Sequence, residues 1–583
     1  MAEAVGFFTD TTVCIGCKAC EVACHQWNAL PARQGGAVPL SGLSYDNTVS
    51  LSDVDWRHVK FIEQFSEDRS NGRWLMMSDV CKHCVNAPCL EVCPTGAILR
   101  TEFDTVYIQE PACNGCRDCI SACPFGVIHV SKEKRIAQKC TFCYDRLRDG
   151  LVPACAQACP TASIQFGPIE QLRERAARRV EQLHGMGADE AYLYGADGKI
   201  LGGLNAFYLL MDRPEVYGLP AEVAPIVPSK NLWPPSFKSI GASLAMALGA
   251  FLAFGRRRGG RRRGEIPHEP ARTPRGGLSP MDPFVGDPHW GGYIVWYFYL
   301  GGIAAGAYSV AAMAAIFGGE EDRRATRPAH YIAFPLIAFC GLLLTVDLNR
   351  PERFWHMLIQ SETYRPMFKW WSPMSVGSWA LSAFGGFSAV SFLAVLVEDG
   401  WVNSPRWHDR LVALRRSWPG KVWAGAGAAT AFFVGSYTGV LLSATNQPAW
   451  ADTTWLGALF LASAASTGVA ALVVLTRWRC PDVCDEQVER LELADGWAIV
   501  LEMAMLAAFA LSLRGVSGMA FIRWPGMLIP LFVVPVGLIL PLILRQVRGV
   551  KGAVDSALLV LLGGFVLRAA VVGMPASLVL THP

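Results

Sequence analysis

Sixteen of the 19 cysteines in this 583-residue chain fall into four groups of four. That arrangement constrains the fold more than any other feature. The groups are Cys14, Cys17, Cys20 and Cys24; Cys81, Cys84, Cys89 and Cys93; Cys113, Cys116, Cys119 and Cys123; and Cys140, Cys143, Cys155 and Cys159. Pro94, Pro124 and Pro160 follow the last three groups directly, and only Cys340, Cys480 and Cys484 stand outside. Disulfide pairing gives no reason for groups of four. Met1 to Asp10 shows no basic n-region, apolar stretch or cleavage site, so no signal peptide is expected. Metal ligation explains the pattern. Two-residue gaps let a loop wrap one side of a [4Fe–4S] cube and supply three thiolates, while the fourth cysteine of a run ligates the other cube of a pair. Zinc ribbons also use Cys-x-x-Cys pairs, but three close cysteines plus a fourth before proline are much more specific to iron–sulfur. Sixteen ligands imply four [4Fe–4S] clusters.

The chain divides in composition. Hydrophobic residues make up 52% and charged residues 17%, a balance displaced toward membrane proteins. Residues 1–230 hold the cysteine groups and ordinary charge, residues 231–284 form a linker, and residues 285–583 are a succession of apolar segments. Eight of these, near 291–317, 331–347, 374–397, 421–443, 453–476, 495–513, 525–544 and 555–579, have roughly the 17–25 residues that span a bilayer as helix. Trp and Tyr gather at their ends, as in "HWGGYIVWYFY" and "FKWWSPM", which suits interfacial aromatic belts. The expected architecture is an α+β ferredoxin-like four-cluster domain followed by an all-α polytopic membrane bundle. Ile240 to Phe254 is a shorter apolar run, marginal for crossing. The net charge of +3 is too small to suggest nucleic acid as a partner.

"CIGCKACEVACHQWN", "CKHCVNAPCLEVCPTGAI", "CNGCRDCISACPFGVI" and "KCTFCYDRLRDGLVPACAQACPTASIQFG" resemble the four-cluster electron-transfer subunit of molybdopterin oxidoreductases. The first run and "YDRLRDGLVPAC" are most similar to the beta subunit of membrane-bound formate dehydrogenases. The resemblance implies a nested ligand set. Cys14, Cys17 and Cys20 would share a cube with Cys159, and Cys140, Cys143 and Cys155 would take Cys24. Cys81, Cys84 and Cys89 would take Cys123, and Cys113, Cys116 and Cys119 would take Cys93. It also implies a separate catalytic subunit carrying molybdopterin with Mo or W. Lys18, Lys82, Arg117, Lys139 and Arg146 lie beside ligands. They would either raise cluster potentials or form a solvated docking face, and the second reading is favoured.

"HWGGYIVWYFYLGGIAAGAYS", "TVDLNRPERFWHML", "WWSPMSVGSWAL" and "SYTGVLLSATNQPAW" resemble the NrfD/polysulfide-reductase membrane-anchor family. That resemblance implies an eight-helix, haem-free subunit exchanging electrons with quinone, menaquinone or ubiquinone. His289, beside Trp290, is the candidate proton and hydrogen-bond donor to a quinone head group, with an interfacial histidine bonded to water as the alternative. Asp347 and Arg350 stand three apart and would pair on one helix face, with Arg353 holding the loop. Asp495 and Glu502 are two turns apart on one face and would relay protons or be satisfied core carboxylates. Arg568 would need a buried partner, and one of those acids is a candidate.

The reading is thus a fused electron-transfer and quinone-reactive membrane subunit of the bacterial cytoplasmic (inner) membrane, serving formate dehydrogenase first. A polysulfide or thiosulfate reductase, a hydrogenase module running from quinol, or an ion-translocating coupling protein are the alternatives. The Arg-rich linker reads as cytoplasmic and as contacting anionic lipid. If 240–254 spans, the cluster domain lies on the opposite, periplasmic side. With the linker counted on its own side, alternate loops carry about fourteen Lys plus Arg on each face. Similarity to periplasmic formate dehydrogenases favours the outside. The awkwardness of exporting a folded cluster domain ahead of eight helices favours the cytoplasmic face, which is the expectation adopted.

Overall fold

The computed structural model describes residues 3–32, 45–66, 72–221, 227–254, 285–287, 290–402, 405–479, 485–513, 519–548 and 552–578. In the cysteine half, a four-stranded sheet ties the first strand to the last. Strand Val5–Asp10 lies between Ile164–Pro168, which is antiparallel to it, and Ala206–Leu210, which is parallel, and Tyr192–Tyr194 closes the far edge. Ala206–Leu210 is apolar and buried throughout, and Val5–Asp10 is buried from Gly6 onward, as strands covered on both faces must be. Pairing residue 8 with residue 207 brings the two ends of this half together. The first and last cysteine groups, which follow the first strand and precede Ile164–Pro168, are thereby carried to one place. The second and third groups sit on short helices, Pro88–Val92 and Asp118–Ala122, packed on one another.

Among the described residues the membrane half has eight helices long and apolar enough to cross a bilayer. In chain order they begin at Gly292, Pro328, Pro373, Trp418, Leu456, Asp485, Ile529 and Ala553. The first (Gly292–Phe317) and fifth (Leu456–Arg479) form the centre, with about four-fifths of their apolar stretch buried, against about a quarter for the second and third. They approach closely because glycine faces glycine. A Cβ on Gly306 would sit 1.9 Å from the Ala464 carbonyl, and one on Gly468 would sit 2.4 Å from the Ala307 nitrogen. Small residues at a crossing replace the hydrophobic drive that lipid cannot supply.

The marginal 240–254 run is the end of a longer helix, Trp233–Phe254. Its first turns meet the start of the fifth membrane helix, where Lys238 bonds Thr454 and lies over the Trp455 ring. Its far turns reach Met313, Val469 and Trp497, so this leading helix runs most of the length of the bundle. Gly286, by contrast, is back at the cysteine end, its carbonyl accepting from Gln447 at 2.6 Å. The far turns of this helix and Gly286 therefore lie at opposite ends of the bundle.

Candidate functional site

The cysteine loops share one backbone design. The residue just before the second cysteine of each group has positive φ: Gly16 (64°), His83 (44°), Gly115 (70°) and Phe142 (62°). So does the third residue after the last cysteine of three groups: Gly96, Gly126 and Ala162. Successive turns of this kind curl a loop around a central volume and aim N–H groups into it. At Gly115 the turn also allows a close approach, since a Cβ there would meet the Arg135 carbonyl at 2.6 Å.

The thiols meet in a chain of neighbourhoods. Cys14 lies within electrostatic reach of Cys17 and Cys159, and Cys24 of Cys140, Cys143 and Cys155. Cys84 neighbours Cys81, Cys89 and Cys123, while Cys116 neighbours Cys113 and Cys93. Three links connect these sets in order. Cys20 reaches Cys155, Cys140 reaches Cys81, and Cys119 reaches Cys89. Burial, then neighbouring thiolates, push the Cys140 thiol up to about 12, so a thiolate at this position calls for a bound cation.

Buried positive charge sits at the joints. Arg57, on strand Arg57–Phe65, is 2% exposed and lies beside Cys155, Cys20 and Cys140. Burial opposes its charge, but those thiolates outweigh burial and hold it protonated. One nitrogen donates to Ser78 Oγ at 3.0 Å, and Ser78 in turn meets Cys20 Sγ at 3.3 Å. Nε and Nη2 have no partner among the described residues. Lys139 sits beside Cys81, Cys89 and Cys140 and donates to the Val106 and Cys140 carbonyls. Orphaned guanidinium donors beside converging thiols fit an anionic iron–sulfur group. No motif announces Arg57, which shares its strand with Lys60 and Glu63 and differs from them in lying at the buried end.

The third cysteine group is the point of contact with the membrane half. Arg117 forms an ion pair with Asp347 at the end of the second membrane helix. Asn349 donates to the Gly115 carbonyl at 2.8 Å, Arg353 to those of Glu110 and Cys113 at 2.9 and 2.8 Å, and Asn446 to that of Ala122 at 2.7 Å. Buried His356 lies 3.2 Å from the Ala112 carbonyl. The expected Asp347–Arg350 pair does not form. The helix stops at Asp347, and Arg350, beyond it, turns to Glu352 and the Lys134 carbonyl. Of the five flanking cations, Lys82, Lys139 and Arg146 are buried rather than solvated.

Directly below lies a cavity of about 330 Å³. Cys116 and Asp347 line its upper wall, with Trp290, Ile294, Phe298 and Leu344 as apolar sides. Tyr297 and Tyr437 meet there hydroxyl to hydroxyl at 2.5 Å. Nearby Asp118, between two cysteines, has both oxygens unpartnered among the described residues, and burial pushes its carboxyl up to about 7. His289 lies outside the described residues; Trp290 next to it stacks on Trp450 at 5.8 Å. The tyrosine pair escapes sequence reading because its members are 140 residues apart.

Deeper in the bundle, Glu502 accepts from Ser466. Arg568 donates through Nε to the Phe298 carbonyl and through Nη1 to Ser463 and the Gly564 carbonyl. Ser463 bonds Glu502 as well, so a hydroxyl stands between acid and cation. Asp495 pairs instead with Arg545, which separates it from Glu502.

Residues 284–579 match the family model "Polysulphide reductase, NrfD", and residues 13–97 and 72–169 match two models of 4Fe–4S dicluster domains. Over 251 residues the chain is 39% identical to the nitrate-inducible formate dehydrogenase iron–sulfur subunit of Escherichia coli, covering 42% of this chain and 82% of that one. It is 38% identical over 237 residues to the formate dehydrogenase iron–sulfur subunit of Haemophilus influenzae, 40% of this chain and 73% of that one. Identity to a probable anaerobic dimethyl sulfoxide reductase subunit of E. coli is 35% over 181 residues, 30% of this chain and 78% of that one. With an iron–sulfur half like those of redox-complex subunits and a membrane half matched end to end, the protein belongs to the NrfD family of polysulphide reductase-type membrane proteins.

Proposed function

We propose that this chain is the electron-transfer and quinone-reactive membrane subunit of a molybdopterin oxidoreductase, formate dehydrogenase first. One observation carries the reading: Cys116 opens onto the same cavity as Tyr297, Tyr437 and Asp347. The ligand sets are Cys14, Cys17, Cys20 and Cys159; Cys24, Cys140, Cys143 and Cys155; Cys81, Cys84, Cys89 and Cys123; and Cys93, Cys113, Cys116 and Cys119. When bound, the four [4Fe–4S] groups supply one-electron transfer between a catalytic subunit that holds molybdopterin and the membrane. A ligand already on the cavity wall makes haem unnecessary.

The cavity's own residues do the rest. Apolar walls bury a quinone ring, and the tyrosine hydroxyls donate to one of its carbonyl oxygens. Reduction of quinone to quinol takes up two electrons and two protons, so a hydroxyl at that oxygen stands where a proton is needed. Asp347, held by Arg117, fixes the polar mouth, and His289 is proposed from the sequence as a further proton donor to the quinone. The test uses the full chain with its copurifying large subunit, assayed for Mo or W and for formate-dependent quinone reduction. Tyr437→Phe and Tyr297→Phe should each lower quinone turnover about 10²-fold with cluster spectra intact. Unchanged turnover in both variants, or activity only with another substrate, overturns the assignment.

The reverse flow, from quinol to a sulfur-compound acceptor, is the second reading and is favoured by similarity to a dimethyl sulfoxide reductase subunit. A hydrogenase partner would use the same wire. A coupling role would rest on Glu502 and is tested by Glu502→Gln in liposomes, where unchanged proton movement removes it.

The cysteine half is proposed to face the periplasm, reversing the expectation from export. With the linker left out, the end remote from the cysteines carries Arg323, Arg324, Arg327, Arg410, Arg415, Arg416, Arg477, Arg490, Arg545 and Arg548. Among the described residues the cysteine end carries Lys230, Lys238, Arg350, Arg353, Arg365, Lys369 and Arg523. The richer end is the cytoplasmic one under the positive-inside rule. Protease access in oriented vesicles tests it; cleavage of the cysteine half from the cytoplasmic side overturns it.

A further inference from the structure

At the end of the bundle remote from the cysteines, a second cavity of about 280 Å³ opens among helix ends. Its floor is Ala311 and Ala315 of the first membrane helix and Val412 of the short helix Pro405–Arg416. Its rim is Arg323, Arg324, Arg327, Arg415 and Arg416, with Glu320 and Glu398 between them. None of these residues touches the quinone cavity or the cysteine loops.

The charges do not balance. Glu320 takes Arg416 at 2.7 Å and Arg323 at 4.0 Å. Glu398 takes Arg415 at 2.9 Å and Arg327 at 3.2 Å, and Asp399 takes Arg327 at 2.7 Å. Five guanidinium groups thus share three carboxylates, while neighbouring Asp322 is committed to Arg490. Arg324 has no side-chain partner among the described residues. An unmatched cluster of this size at a helix end calls for an anion.

Unspent donors point the same way. The Nε atoms of Arg323 and Arg327 are buried without an acceptor among the described residues. His330, only 8% exposed, lines the same cavity. Its Nε2 lies 3.2 Å from an Arg415 nitrogen. Arginine can only donate, so Nε2 accepts, and the ring proton of the neutral tautomer resides on Nδ1. Nδ1 has no partner among the described residues. A buried N–H without an acceptor is costly, and an oxygen of a bound anion would satisfy it.

We propose that this cavity binds a phosphate group, presented by an anionic phospholipid. The shared chemistry is a phosphate oxygen set spanning several guanidinium groups. Lipid is favoured over free phosphate by the surroundings. Trp401 and Trp418, 72% and 76% exposed, stand two residues along the chain from Asp399 and Arg416, as aromatic residues do at a bilayer interface, and the apolar floor suits the glycerol end of acyl chains. Basic pockets between helix ends hold such headgroups elsewhere.

The experiment uses the full chain, purified in mild detergent and examined by native mass spectrometry after exchange into phosphatidylglycerol, cardiolipin or phosphatidylcholine. Retention of the anionic lipids over phosphatidylcholine is expected, reduced about tenfold in Arg324→Gln/Arg416→Gln. Arg324→Gln alone, at an exposed side chain with no partner among the described residues, guards against misfolding and should show a smaller loss in the same direction. Equal retention of phosphatidylcholine, or unchanged retention in the double variant, overturns the proposal. Displacement of the lipid by millimolar inorganic phosphate alone reassigns the cavity to a free anion and overturns the lipid source.

Discussion

Arg57 and Arg568 are both fully buried cations, one in each half of the chain, and their surroundings differ. Arg568 is 1% exposed, and its donors end on two carbonyls and a hydroxyl, with Glu502 one serine away. Arg57 is equally buried, yet two of its nitrogens meet no protein acceptor among the described residues. A bundle in lipid must satisfy a charge from its own atoms, because nothing else is at hand. The cysteine half leaves donors open beside converging thiols, as a site does when its acceptor is the cofactor. Arg568 is held by acceptors of the fold itself, whereas Arg57 keeps open donors of the kind an iron–sulfur group would accept from.

The largest effect should come from the place where the two halves meet. Cys116→Ser removes one ligand of the proposed set that borders the proposed quinone cavity. It should abolish quinone-linked turnover and reduce the spectroscopic count from four clusters to three. Retention of four clusters would break the ligand set, and retention of turnover would move the exit elsewhere.

Next in size is Arg568→Met. It strands the Phe298 and Gly564 carbonyls and leaves Glu502 without its neighbouring cation, a loss of about 3 kcal/mol in stability. Thermal unfolding in detergent should register it, with cluster potentials unchanged. A potential shift without destabilisation would mean that Arg568 serves the redox centres after all. Asp347→Asn should cost somewhat less, about 1–3 kcal/mol, because Asn349, Arg353 and Asn446 still hold the same loop. It should appear as weakened protection of the third cysteine group, and a double-mutant cycle with Arg117→Ala measures the coupling.

These effects separate what is legible in the sequence from what is not. Local signals read well: cysteine spacing marks the four loops, and apolar length marks eight spans within a few residues of their ends, except that the sixth helix begins ten residues before its expected start, through the charged turns after Asp485. Contacts between distant segments do not. Asp347 stands three residues from Arg350, but the helix ends between them, and its partner, Arg117, lies 230 residues away. Tyr297 and Tyr437 are ordinary tyrosines on separate helices until the bundle closes. The leading helix reads as too short because its first turns carry Pro234, Pro235, Ser236 and Lys238, which interrupt the apolar run without ending the helix. Arg57 carries no pattern at all, because its meaning comes from cysteines distant in the sequence.

The smallest effect, and the one that sharpens the comparison most, is Arg57→Met. The apo chain should lose little stability, since the change removes an incompletely bonded charge from a buried site. The two clusters held by the Cys14 and Cys24 sets should shift to more negative potentials, because a reduced cube is more anionic and has lost a neighbouring cation. Arg57→Lys should restore part of the shift, keeping the charge while losing the forked geometry that reaches both Ser78 and the clusters. Potentiometric titration followed by electron paramagnetic resonance reads this directly, independently of turnover. The clusters held by the Cys84 and Cys116 sets serve as the internal control. If all four potentials move together, the cation acts through the fold. If only the outer pair moves, Arg57 belongs to the wire, and the contrast with Arg568 stands on charge alone.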